Sequence, residues 1–256
     1  MSVVIASKQS SKIILSAMKK LQYLFVFVLL SGFFQSCVFI DGDARLDPLN
    51  SDSRNFSVRD FDQLEMGNAF DITVRQSGQF SVFVRGDRRD IEDLEVFVNN
   101  SGKLVIRYRN WRIRRYDMDI DITMPVLTGV DFSGATNSTI SGFGTIRNLD
   151  VQLSGASKSV MDGDWDRVTV DISGASNLTL HGQGLSLGGD LSGASRLDAF
   201  DYPVDNVDLG LSGASNARVL VGKTLKVNAS GSSDLRYRGT PEVRSSVSGG
   251  STVKKD

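Results

Sequence analysis

The chain has 256 residues, with 29 Lys and Arg, 30 Asp and Glu, one Cys and one His. A single Cys excludes an intramolecular disulfide framework and a Cys-based zinc site, a single His excludes a poly-histidine metal site, and 25 Gly with 40% hydrophobic content suit a folded, turn-rich domain. The first 36 residues hold four Lys and no acid, so residues 37–256 carry 25 basic against 30 acidic side chains, a net charge of −5 that argues against a nucleic-acid partner.

At the N-terminus, Lys19-Lys20 precedes a 14-residue apolar run, Leu21 to Phe34, and then Gln35-Ser36-Cys37. A basic start, a short apolar run and a small residue before the cut are the parts of a secretory signal. A membrane-spanning helix needs about 20 apolar residues, which this run does not supply. Residues 1–36 are therefore expected to be a signal peptide, with Met18 as the natural start and residues 1–17 an upstream extension. Phe34-Gln35-Ser36-Cys37 matches a bacterial lipobox loosely, which makes Cys37 the expected lipidation residue. The alternative is ordinary cleavage nearby, leaving a free thiol. Acylation would anchor the chain firmly, since each buried CH₂ contributes about 0.8 kcal/mol. Val38 is not the Asp that retains some lipoproteins at the inner membrane, so the expected location is the outer membrane, on its surface or periplasmic face. Residues 37–59, polar and rich in Asp, Ser and Asn, read as a tether.

Residues 60–128 read as an N-terminal β section. Phe70–Val74, Phe80–Val84, Leu94–Val98, Leu104–Tyr108 and Met118–Thr123 alternate apolar and polar side chains or run apolar, and Gly, Asn and Pro fall between them. From residue 129 to 256 a motif recurs: Ser133-Gly-Ala-Thr, then Ser-Gly-Ala-Ser at 154, 173, 192 and 212, then the degenerate Ser230-Gly-Ser-Ser and Ser248-Gly-Gly-Ser. The intervals are 21, 19, 19, 20, 18 and 18 residues, the signature of a solenoid. Three and one places before each first Ser, and five and seven after it, 23 of 28 positions are apolar; of the 21 interleaved positions only Val160 is. That is half-buried strand, not helix. The glycines Gly134, Gly155, Gly174, Gly193, Gly213 and Gly231 are the expected turn-formers, because a sharp corner needs positive φ. The fold class is all-β: a right-handed parallel β-helix of 18–21-residue repeats, rungs about 4.8 Å apart, with a strand-rich N-terminal section.

The stretch Gly67-Asn-Ala-Phe-Asp-Ile-Thr-Val74, followed by the Ser-Gly-Ala-Ser ladder behind a lipoprotein-like signal, resembles the auto-transporter adhesin head GIN domain family, a domain of unknown function. The resemblance covers roughly Phe61 to Val247. It implies a two-sheet right-handed β-superhelix, no recognised catalytic residues and a role in cell adhesion.

Asp162-Gly-Asp164-Trp-Asp166 has calcium-like spacing, but Arg167 and Ser173 stand where a calcium loop needs Gly and Glu, so a solvated turn is expected. His181 has no matching partner in the sequence, and a serine repeated seven times is turn chemistry, not a nucleophile. No catalytic residue, metal or cofactor is expected. The densest charge is Arg107-Tyr-Arg109-Asn-Trp111-Arg112-Ile-Arg114-Arg115, followed by Asp117, Asp119 and Asp121. One reading is a salt ladder in a hairpin. The other is a glycan- or anion-binding site of Arg107, Arg109, Trp111, Arg112 and Arg114, in which Trp111 or Tyr108 stacks on a sugar and Arg holds carboxylate or phosphate. The expected protein is a non-enzymatic lipoprotein adhesin. Its partners would be the membrane, through the anchor, and a glycan or a host or cell-surface protein. The alternatives are a polysaccharide-acting β-helix enzyme and a self-associating envelope scaffold.

Overall fold

A computed structural model describes residues 48–111 and 115–256. The signal peptide, Cys37, the first part of the tether, Arg112 and Arg114 lie outside the described residues. The N-terminal part consists of β1 (Ser51–Phe56), β2 (Gln63–Met66), β3 (Asp71–Gln76), β4 (Ser81–Asp87), a short helix α1 (Arg88–Glu92), β5 (Leu94–Val98), β6 (Lys103–Tyr108), β7 (Asp119–Met124) and β8 (Gly129–Phe132). The repeats form β9 (Asn137–Leu153), β10 (Lys158–Ile172), β11 (Asn177–Gln183), β12 (Ser186–Leu191), β13 (Arg196–Leu211), β14 (Asn216–Ala229), β15 (Asp234–Gly239), β16 (Glu242–Val247) and β17 (Thr252–Lys255).

These strands stack as a β-solenoid of about seven turns. Each turn contributes one segment after its motif to a front sheet and one segment before the next motif to a back sheet. Neighbouring turns pair in parallel: Lys158 faces Asn137 and Asn177 in the front sheet, and Ile172 faces Leu153 and Leu191 in the back sheet. In β9, β10, β13 and β14 one strand runs through both sheets and bends at a second corner. Alternate side chains point inward and are fully buried, among them Ile140, Met161, Leu180, Val151, Val170 and Leu209. Ser138 and Ser159 take inward places too and satisfy each other, with hydroxyls 2.7 Å apart.

The motif corner stacks through its own backbone. Ser154 N–H donates to the Phe132 carbonyl at 2.9 Å, Ala156 to Gly134 at 2.6 Å and Lys158 to Thr136 at 2.8 Å, and the next turn repeats the set. Gly134, Gly155, Gly174, Gly193, Gly213 and Gly231 have φ between 73° and 79°. A Cβ on Gly174 would also be driven into the Gly155 carbonyl of the preceding turn. The fourth motif residue is buried, and the hydroxyls of Thr136, Ser157, Ser215 and Ser233 donate to the carbonyl three residues back at 2.8–3.0 Å.

The N-terminal part joins the same stack out of chain order. β2 lies between β6 and β8, and β3 between β7 and β9, all in parallel. The turn Gly67-Asn-Ala-Phe70 is thus another corner of the motif column: Ser133 N–H donates to Met66 O at 3.0 Å and Asn137 N–H to Phe70 O at 2.9 Å. β4 pairs antiparallel with β7 and β5 with β6, closing this end.

Two expectations are corrected. The polar stretch 37–59 is not all tether: residues 51–56 form β1, antiparallel to β4. Its side chains are almost all exposed, so it has no apolar alternation to betray a strand held by backbone bonds. Nor do the Asp residues after the Arg run face it across a hairpin, because β6 and β7 belong to different sheets. Asp121 meets Arg85 at 3.3 Å and Arg75 at 3.8 Å, and Asp119 meets Arg85 at 3.9 Å.

Candidate functional site

The connection from β6 to β7 is the enlarged motif corner of the terminal turn. α1 holds it in place. Asp87 caps α1 by accepting from Arg89 N–H at 3.1 Å, and Asp90 in its first turn and Asp93 at its C-cap are buried. Their carboxylates grip the connection: the Arg115 guanidinium donates to Asp90 Oδ1 at 2.8 Å and also to Asp93 and to the Asn110 carbonyl. Asn110 Nδ2 donates to Asp93 Oδ1 at 2.5 Å, and Tyr116 N–H to Asp90 Oδ2 at 3.1 Å. The same guanidinium stacks 3.7 Å from the Tyr108 ring centroid. Carboxylate, guanidinium and ring fix one another, as a planar five-donor fork permits and an ammonium does not.

On this frame Trp111 is 84% exposed. A free tryptophan gains by burying its ring, so so much exposed indole on a clamped segment marks a surface for contact. Beside it, the exposed Arg109 has no carboxylate partner among the described residues. The two border a cleft of about 510 Å³, with Asn68 and Ala69 on the opposite wall. Asn68 and Ala69 have φ of 67° and 61°. Left-handed backbone costs a non-glycine residue roughly 1–2 kcal/mol, and such strain gathers at functional sites.

Of the residues singled out in the sequence, Arg109 and Trp111 come together here. Arg107 does not join them: its guanidinium bonds Glu95 at 2.8 Å and lies 5.4 Å from the Phe97 ring. Arg115, Asn68 and Ala69 complete the cleft. Only Arg115 stood within the charged run; the other two arrive through the threading of β2 and β3, for which the sequence has no local signal.

The carboxylates of 162–166 do not converge. Trp165 is fully buried between them, and Asp164 accepts from Gln183 N–H at 3.1 Å. Among the described residues no group of three or more metal-ligating side chains assembles. His181 lies within β11, half-buried and 3.8 Å from Asp201. On the back sheet, Ser186, Asn206, Thr224, Thr169 and Asp208 line a shallow groove of about 410 Å³ along the axis. No helix among the described residues is long and apolar enough to cross a membrane.

A family profile described as "Putative auto-transporter adhesin, head GIN domain" matches residues 60–241. No functionally curated protein matches. Among solved structures, one described as a putative adhesin from Bacteroides fragilis aligns with a TM-score of 0.74 at 20% identity, covering 82% of this chain and 99% of that one. A second, described as a putative adhesin from Parabacteroides distasonis, aligns with a TM-score of 0.68 at 18% identity over 83% and 100% of the two chains. A third, from the same organism and described as a putative lipid binding protein, aligns with a TM-score of 0.67 at 18% identity over 83% and 99%. At these identities the likeness is one of fold.

Proposed function

The chain belongs to the head GIN domain family, and from that premise we propose that it is a non-enzymatic adhesion module of the cell envelope, anchored through a lipid on Cys37. The observation that carries this reading is the solenoid itself. Its core is continuous and its corners are hydrogen-bonded from turn to turn, so its outward columns of Ser, Thr, Asn and Asp form a stiff polar surface. Repeat solenoids use such extended surfaces for binding. The axial groove on the back sheet offers hydroxyls and amides at the rung spacing, suited to a polymer laid along the axis. The test is protease shaving of intact cells with immunodetection of the chain. Loss of the domain supports an outward adhesin; digestion only after the outer membrane is opened refutes surface display.

The Trp111 cleft supports a second recognition element. An exposed indole beside a guanidinium that has no carboxylate partner among the described residues fits a ligand that offers an anion next to a flat or apolar face. Replacing Trp111 by Ala would remove about 1 kcal/mol of stacking, a roughly fivefold loss of affinity for such a ligand. Calorimetric titration of acidic oligosaccharides into the wild type and Trp111→Ala measures it.

A further inference from the structure

The geometry points to the bilayer as the source of that anionic ligand: Trp111, with Arg109 and Arg54, contacts the surface of the membrane that holds the lipid anchor and sets the solenoid upright on it. This rests on the reading of Cys37 as the anchored residue. Two observations lead to it.

The first is position. Asn50, where the chain reaches the solenoid, donates its N–H to Asp87 at 3.2 Å and accepts from Arg88 N–H at 2.9 Å. Those residues begin α1, and Asp90 in its first turn and Asp93 at its C-cap grip the Trp111 connection. The incoming chain and the connection are thus fastened to the same five-residue helix, about 8 Å long. Only 13 residues lie between Cys37 and the fastening point, counting Asn50. That length spans at most about 45 Å.

The second is the side-chain type. Trp is enriched where bilayer meets water, because its ring is apolar and its N–H polar, and Arg keeps its charge among headgroup phosphates while its stem lies along apolar surface. Arg54, Arg59 and Arg109 are all exposed near this end, without a carboxylate partner among the described residues.

The test uses the full acylated chain in vesicles of phosphatidylethanolamine doped with phosphatidylglycerol, with or without brominated acyl chains. The protein has two tryptophans, and Trp165 is fully buried. The wild type should lose the Trp111 share of its emission in brominated vesicles, while Trp111→Phe, which reports Trp165 alone, should not change. Arg54→Glu with Arg109→Glu should restore the lost emission. Flotation of both chains without bromolipid quenching, with Trp111 still open to acrylamide, would overturn the bilayer contact and leave a soluble glycan as the ligand. Failure of both chains to float would overturn the Cys37 anchor and this inference with it.

Discussion

Single residues decide how turns of this solenoid fit. Tyr202 reaches past an intervening turn to Trp165, donating its hydroxyl to the carbonyl at 2.7 Å and accepting from the N–H at 3.1 Å. It passes where Gly184 has no side chain; a Cβ there would lie against the Trp165 carbonyl and 2.8 Å from the Tyr202 hydroxyl. Gly184→Ala should therefore cost about 1–3 kcal/mol, the usual range for overpacking, read by urea denaturation. Burial pushes the Tyr202 hydroxyl up to about 12, above the 10.0 of a free tyrosine. The unfolded chain then ionises first, so stability should fall as pH rises from about 10 and level off near 12. Tyr202→Phe should abolish that alkaline loss, while costing about 1–3 kcal/mol at neutral pH for the Trp165 groups left unpaired. At the motif corner, Gly174→Ala meets both left-handed backbone and the Gly155 carbonyl, and should cost about 2 kcal/mol.

Among elements, the clamp between α1 and the β6–β7 connection has the most concentrated charge. Arg115→Ala would leave Asp90 and Asp93, both buried, without the guanidinium that bridges them; a loss of about 3 kcal/mol is expected. Limited proteolysis should then cut within 109–118 while the repeat turns stay intact. Arg115→Lys should recover only part, because one ammonium cannot reproduce the fork. The repeat half is legible in the sequence because every turn restates the same alternation and corner. The strands at Ile72, Val82, Val96, Ile106 and Ile120 are legible from their own alternation, but their order in space is not. Nothing local to Gly67–Phe70 says that it stacks on Ser133, or that β6 and β7 belong to different sheets. β1 is hidden by its polar side chains, and α1 by its length. The cleft inherits this: Arg109 and Trp111 stand out as residue types, whereas Asn68 and Ala69 enter only through topology.

Across the whole molecule, charge changes sign along the axis, from acidic repeat turns to a basic C-terminal end. Beyond the acidic turns, residues 212–256 hold eight basic and three acidic side chains. Three ion pairs join the last acidic turn to the first basic one: Arg218–Asp198 at 2.8 Å, Lys223–Asp205 at 2.8 Å and Lys226–Asp208 at 2.9 Å. Asp171 and Asp190, by contrast, face each other in register with no ion pair to either among the described residues. Asp171→Lys should raise stability by about 0.5 kcal/mol at low ionic strength, and the gain should shrink as salt screens the pair; thermal melts across a salt series measure both. The threading of β2 and β3 bears on time as well as space. The ribosome makes this turn first, yet both its edges are completed by chain made later, Asp71 pairing with Asp119 on one side and Asn137 on the other. Closing those loops should be the slow step, with turns after Ser133 then adding one by one to an existing edge. Ile72→Val should slow refolding, whereas Leu225→Val should chiefly speed unfolding, a difference stopped-flow kinetics resolves. Until Ser141 has emerged, the first turn that the ribosome makes lacks a neighbour beside β3, and the nascent chain carries that edge unpaired.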